Sequence, residues 1–146
     1  MINKKNLNNY LFVYGTLLRF FNNRNEFSYY LSKYGKYVNK AYTQGDIYSI
    51  QGGLHIYPGA KFIDNGNIIY GELYKIDEDL LNELDIYEGR NYTRKLINIK
   101  YKLLPFIYLN KSNVYAYELT DLLIYDDSDK IKSGDFVKYL IEKNKG

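Results

Sequence analysis

Apolar and polar positions along this chain fall into patterns that separate strands from helices. Tyr10-Leu11-Phe12-Val13-Tyr14 is a short apolar run closed by Gly15-Thr16, the signature of a buried first strand. Beyond it, Phe27, Tyr30, Leu31 and Tyr34 recur at helical spacing, and Gly35 stops the helix. Residues 37–50 are rich in Tyr, Val and Ile and predict a strand with a bend or bulge at Gly45. A turn at Gly52-Gly53 and a short extended piece lead to a second turn at Pro58-Gly59. Asn65-Gly66 is a turn signal ahead of a strand over 68–76. Asp77 is placed to cap a helix that holds Leu80, Leu81 and Leu84. Alternation resumes over 92–103. After Pro105 a connection leads to a strand over 113–119. Asp126-Asp127-Ser128-Asp129 reads as a solvated acidic loop, and Gly134-Asp135 opens a terminal helix with Phe136, Val137, Leu140 and Ile141 apolar.

Sequential strands joined by turns do not suit a doubly wound parallel sheet. They predict an α+β fold, a small mixed β-barrel with a few peripheral helices. Closure removes the exposed edges that so many apolar strands would otherwise present. No repeat, linker or boundary divides residues 1–146, which read as a single domain.

Composition narrows the chemistry. The chain has 146 residues, 46% of them hydrophobic, enough for a core. A net charge of +3, with the charged residues spread along the chain, does not indicate nucleic acid. There is no cysteine, which excludes disulfides, thiolate nucleophiles and cysteine-ligated zinc. The first residues lack an apolar signal region, and no stretch approaches the roughly 18 apolar residues of a membrane span. A cytoplasmic protein with neither membrane nor nucleic-acid partners is the expectation. The 19 tyrosines sit mostly among aliphatic neighbours, so they predict packing and not base stacking.

Glu88 is the residue that points to chemistry. It lies one turn beyond Leu84 and two beyond Leu81, so it shares their face. A carboxylate facing inward loses solvation, and its pKa rises toward the range a general base needs. The alternative is a helix-terminal Glu turned outward at Gly89. Gly15, at the exit of the first strand, lets successive backbone N–H groups converge on an anion, although an ordinary turn has the same sequence. His55 is the single histidine and has no metal-site or triad partners in the pattern. Phosphate-binding glycine signatures are absent. Arg94, on an alternating strand, is expected to pair with a nearby carboxylate.

Taken in order, these segments resemble the gamma-glutamylcyclotransferase-like superfamily. Phe12-Val13-Tyr14-Gly15-Thr16-Leu17 is similar to its opening strand and glutamyl-binding loop. Gly45-Asp46-Ile47-Tyr48 and Tyr57-Pro58-Gly59 resemble its second strand and Tyr-Pro-Gly turn. Tyr70-Gly71-Glu72-Leu73-Tyr74 resembles the strand before the active-site helix. Leu84-Asp85-Ile86-Tyr87-Glu88-Gly89, with Tyr92-Thr93-Arg94, resembles the segment that carries the catalytic Glu. Ala116-Tyr117 and Ser133-Gly134-Asp135-Phe136 resemble the last strand and the start of the final helix.

The resemblance implies the family's small mixed barrel with substrate at one mouth. It implies Glu88 as the acid/base, and Tyr14, Gly15, Thr16 and Leu17 around the glutamyl group. Tyr92 and Tyr117 match positions that line the pocket. Thr16-Leu17 looks closer to the gamma-glutamylamine cyclotransferase branch than to the glutathione-pathway enzymes. The implied reaction releases an amine and 5-oxoproline from a small gamma-glutamyl substrate, without cofactor or metal, in a monomer or weak homodimer. A non-catalytic small-molecule binding module of the same fold is the alternative. The wall that meets the leaving amine is expected from residues 51–53 or 104–112.

Overall fold

The computed structural model describes residues 6–52, 54–120 and 125–145. In chain order the elements are β1 (Asn9–Val13), α1 (Glu26–Tyr34), β2 (Lys36–Gln44), β3 (Asp46–Gly52), β4 (His55–Lys61), β5 (Ile68–Ile76), α2 (Glu78–Glu88), β6 (Tyr92–Leu104), β7 (Ile107–Leu119) and α3 (Phe136–Lys145). Single 3-10 turns lie at Arg19–Phe21, Gly89–Asn91 and Asp127–Asp129.

Five strands close into a mixed barrel in the order β1-β5-β2-β6-β7. Neighbours run antiparallel except at the seam, where β7 returns parallel to β1 at Leu11 and Tyr115. Leu11, Phe12, Val13, Ile69, Leu73, Val114 and Ala116 supply buried apolar surface from these strands. Leu80, Leu81 and Leu84 of α2 join the same core. Cutting one such leucine to Ala costs about 2–5 kcal/mol.

Local chemistry sets the helix ends. The Asn25 side chain accepts from the Ser28 N–H and starts α1, and Asp77 accepts from the Leu80 N–H at 2.8 Å and starts α2. Gly89 ends α2 at φ 71°, a backbone that glycine adopts without a Cβ penalty.

Three expectations are corrected. First, the bend at Gly45 takes the chain out of the barrel: β3 and β4 form a separate two-stranded sheet. Second, Pro58-Gly59 is not a turn but the middle of β4, opposite Ser49 and Tyr48. Pro58 is tolerated because β4 pairs on one side only, where a missing N–H costs little. Third, no loose connection follows Pro105: a tight turn at Pro105-Phe106 joins β6 directly to β7, which begins at Ile107. The polar run Asn110-Lys111-Ser112-Asn113 hides that strand in the sequence, and a register shift beside Asn113 (φ 59°) marks where the alternation breaks. The acidic segment after Tyr125 is a capped 3-10 turn, with Asp126 and Asp129 bonding each other's backbone N–H. Gly53, half of the expected Gly52-Gly53 turn, lies outside the described residues.

Candidate active site

The β3–β4 hairpin is fixed across one end of the barrel by side chains that reach out from it. The Tyr92 hydroxyl donates to the Pro58 carbonyl at 2.7 Å. The Tyr14 hydroxyl accepts from the Ala60 N–H at 3.2 Å and donates to the Tyr117 carbonyl at 2.6 Å. The Phe62 N–H donates to Glu118 at 2.9 Å, and Lys95 holds the other oxygen of that carboxylate. Between hairpin and barrel mouth lies a cavity of about 320 Å³.

Tyr14, Gly15, Thr16, Leu17, Glu88, Tyr92 and Tyr117 all line this one cavity. Residues from the strand exit and from a helix end, some seventy positions apart, therefore meet in one place. The remaining wall comes from Phe12, Val13, Ile50, Gln51, Gly52, Tyr57, Pro58, Tyr87 and Asn91. Of the two segments expected to meet a leaving group, Gln51 and Gly52 reach the cavity and residues 104–112 do not.

Glu88 ends α2 where its leucine face emerges from the core, so the carboxylate turns into the cavity and not outward at Gly89. Among the described residues no cation or hydrogen-bond donor pairs with it. Burial alone pushes its pKa from 4.5 up to about 7. A carboxyl in that state both takes and gives a proton near neutrality.

The loop after β1 offers the opposite charge preference. The Leu18 N–H turns back to the Gly15 carbonyl, and the Arg19 N–H is taken by Glu72. The N–H groups of Gly15, Thr16 and Leu17 have no acceptor among the described residues. A row of unpaired N–H groups at a cavity wall is suited to an anion or a developing oxyanion. Gly15 is needed there for another reason too: a Cβ on it would sit 2.3 Å from Cγ of Pro58. The loop can pass under β4 only with no side chain at that point.

The three tyrosines serve as walls more than as donors, because each hydroxyl hydrogen is already committed. Tyr117 donates to Asp85 Oδ1 at 2.6 Å, and Arg94 Nη1 stands 3.3 Å from the other Asp85 oxygen. The expected carboxylate partner of Arg94 is thus Asp85. Burial first, then the charge of neighbours including Glu88, holds the Tyr14, Tyr92 and Tyr117 phenols well above their ordinary range. They stay protonated and add no negative charge to the site.

Tyr87 lines the cavity without being among the expected site residues. Its ring stacks on Phe27 at 4.5 Å, and its hydroxyl accepts from Asn25 at 2.7 Å and lies 3.3 Å from Oγ1 of Thr16. It ties the end of α2 to the start of α1 and to the anion-suited loop. It stands seven residues after Leu80 and three after Leu84, so it shares the leucine face, and that spacing is the signal that could have found it. His55 sits at the hairpin's far turn beside Tyr57 and does not line the cavity.

A small mixed barrel with a half-buried, uncompensated carboxylate facing a row of free backbone N–H groups has a mouth suited to a small ligand and to proton exchange. The chain belongs to the gamma-glutamyl cyclotransferase, AIG2-like family, whose profile matches residues 11–138. Among solved structures it is similar to the protein PH0828 of Pyrococcus horikoshii, with 20% identity, a TM-score of 0.62, and 93% of this chain and 96% of that one covered. It is also similar to an AIG2-like protein of Mus musculus, with 21% identity, a TM-score of 0.57, and 88% and 94% covered. A third likeness is YkqA of Bacillus subtilis, with 24% identity, a TM-score of 0.64 and 94% of this chain covered. There the match spans only 43% of the YkqA chain. These likenesses carry the fold. A comparison with curated proteins finds no match.

Proposed function

We propose that this protein is a cyclotransferase that opens a gamma-glutamyl amine or amide by intramolecular attack, with Glu88 as the acid/base. The observation that carries the reading is the uncompensated Glu88 carboxyl, held near neutrality by burial, in the same cavity as the unpaired N–H groups of residues 15–17.

A gamma-glutamyl amide contains its own nucleophile. The α-ammonium gives a proton to Glu88, and the freed nitrogen attacks the γ-carbonyl carbon to close a five-membered ring. Negative charge collects on the carbonyl oxygen. When the tetrahedral centre collapses, the bond to the outer nitrogen breaks and that nitrogen takes the proton from Glu88; the regenerated carboxylate then relays the second proton of the ring nitrogen to the departing amine. The products are 5-oxoproline and the amine in its ammonium form, with Glu88 again ionised. No water, metal or enzyme nucleophile enters the balance.

The cavity supports each requirement. Walls of Tyr14, Tyr92 and Tyr117 favour a curled substrate, and intramolecular reactions held in such geometry reach effective molarities of about 10⁵ M or more. Backbone N–H groups of the Gly15 loop meet the substrate's anionic parts, and one such donor to an oxyanion is worth about 3 kcal/mol. The outer nitrogen and its substituent lie toward Gln51, Gly52 and Tyr57.

The test is incubation with a panel of gamma-glutamyl amines, read by mass spectrometry for 5-oxoproline. Glu88→Gln serves as the control, since it keeps the shape and loses the proton acceptor. The expected result is product with the native chain and none with the variant. Equal product from a folded Glu88→Gln chain overturns the assignment.

A further inference from the structure

The feature outside the cavity that the fold explains least is the tip of the β6–β7 hairpin. Strand β2 pairs with β6 only at Ala41 with Tyr101 and Tyr42 with Lys100. Past those pairs the hairpin runs on as a two-stranded ribbon with no third strand beside it. Its end carries Leu103, Leu104, Phe106, Ile107 and Leu109, all exposed, with Phe106 at 98%. A contiguous apolar group of this kind on a barrel surface marks an interaction site.

Phe106 is also in the wrong backbone for its own stability. It occupies the second position of the two-residue turn after Pro105, at φ 67°. Gly or Asn takes that position without penalty, whereas a bulky residue there is strained. An aromatic ring that is strained, solvent-exposed and in contact with no core residue gives the fold nothing in return. Strain of this kind points to function.

The charge along the hairpin itself is of one sign, whereas Glu72 and Asp135 stand on the barrel side, in the hollow that Tyr108 lines. Between Glu88 and Glu118 the chain has no acidic residue, and it carries Arg90, Arg94, Lys95, Lys100, Lys102 and Lys111. Of these, Lys102 flanks the apolar tip, while Lys100 and Lys111 stand farther back, opposite Tyr42 and Ile99; none of the three meets a carboxylate among the described residues. Lys111 rests over the Tyr10 ring, 3.8 Å from its centre, at the base of the ribbon.

We propose that this hairpin tip docks on an anionic lipid surface, its leucines and Phe106 entering the headgroup boundary while Lys100, Lys102 and Lys111 meet the lipid phosphates and carboxylates. An apolar end with a basic collar is the complement of such a surface. Single-stranded nucleic acid calls for flat rings and guanidinium groups, and this tip is mainly aliphatic. A second copy meeting tip to tip brings unpaired lysines against one another. The absence of a span-length apolar run bears on crossing a bilayer, not on resting upon one.

The experiment is co-sedimentation of the full chain with vesicles of pure phosphatidylcholine and of equimolar phosphatidylcholine and phosphatidylserine. The native chain partitions onto the anionic vesicles, and high salt weakens that binding. Phe106→Gly lowers the partition by about ten-fold or more through lost apolar burial, while its melting temperature stays level or rises. Each of Lys100→Gln and Lys102→Gln lowers it about five-fold, the loss that about 1 kcal/mol per basic residue implies. The proposal is overturned if the native chain stays in the supernatant with anionic vesicles, or if Phe106→Gly partitions like the native chain. A tip that instead binds a mixed-sequence oligonucleotide, or holds a dimer that Phe106→Gly dissolves, with no vesicle binding, assigns the surface to nucleic acid or to self-association and equally overturns it.

Discussion

Tyr117 and Asp85 are joined by a 2.6 Å hydrogen bond from phenol to carboxylate across the junction of β7 and α2. Arg94 approaches the second Asp85 oxygen and lies over the Tyr115 ring, 4.7 Å from its centre. The bond fixes one wall of the cavity to the helix that presents Glu88, so barrel and helix keep their relative positions at the site. The first prediction concerns this pair. Asp85→Ala and Tyr117→Phe each lower stability by about 1–2 kcal/mol, since the bond is charge-assisted but partly solvated. The double variant loses less than the sum, with a coupling of about 0.5–1.5 kcal/mol. Urea denaturation of the four chains measures it, and strict additivity refutes the coupling.

In the proposed reaction Glu88 sets the pH dependence of turnover. Its carboxyl, raised to about 7 by burial, must be ionised to accept the ammonium proton. kcat/KM therefore rises with pH through an acidic limb centred near 7. Glu88→Gln abolishes turnover across that range. A limb centred near the ordinary carboxylate value of about 4 instead shows that burial does not tune this group.

Stability carries the same signature with the opposite slope. A carboxyl whose folded pKa lies above its unfolded value binds a proton more tightly in the native state. The favourable contribution is complete below the unfolded value of 4.5 and is lost as pH rises through about 7. The loss amounts to at most about 3 kcal/mol, because part of the side chain reaches solvent. Glu88→Gln flattens this fall and is more stable than the native chain at pH 8. Denaturation midpoints measured between pH 5 and pH 8 decide the matter, and parallel curves for the two chains remove Glu88 as their source.

Gly15→Ala tests the passage beneath β4. Its new Cβ falls 2.3 Å from Cγ of Pro58, so either the loop or the hairpin must move. Overpacking of this kind costs about 1–3 kcal/mol, and displacement of the N–H groups is expected to raise KM for the proposed gamma-glutamyl substrate. An unchanged melting temperature together with an unchanged KM shows that the contact is slack.

Much of the site was legible because its signals are local. The Asp77 cap, the Leu81-Leu84-Glu88 spacing and the Gly89 stop all lie within one helix, where a period of 3.6 residues fixes which side chains share a face. The strand over 68–76 was equally plain from its turn signal and apolar content. Roles that depend on distant partners were not legible. Tyr87 matters because Asn25, Phe27 and Thr16 come to it. Tyr14, expected near the glutamyl group by resemblance, lines the cavity, and its hydroxyl also holds Ala60 and Tyr117, a role that no local signal shows.

By itself, then, the sequence determined most of the elements, the Asp77 cap and the inward turn of one carboxylate, since backbone propensity and side-chain periodicity act over a few residues. Tertiary structure alone decided that β3 and β4 leave the barrel to roof its mouth, that Pro58 belongs to a strand, and that β7 starts at Ile107. Those outcomes depend on which edges find hydrogen-bond partners and which surfaces find cover, and both are settled by contacts between segments far apart in the chain.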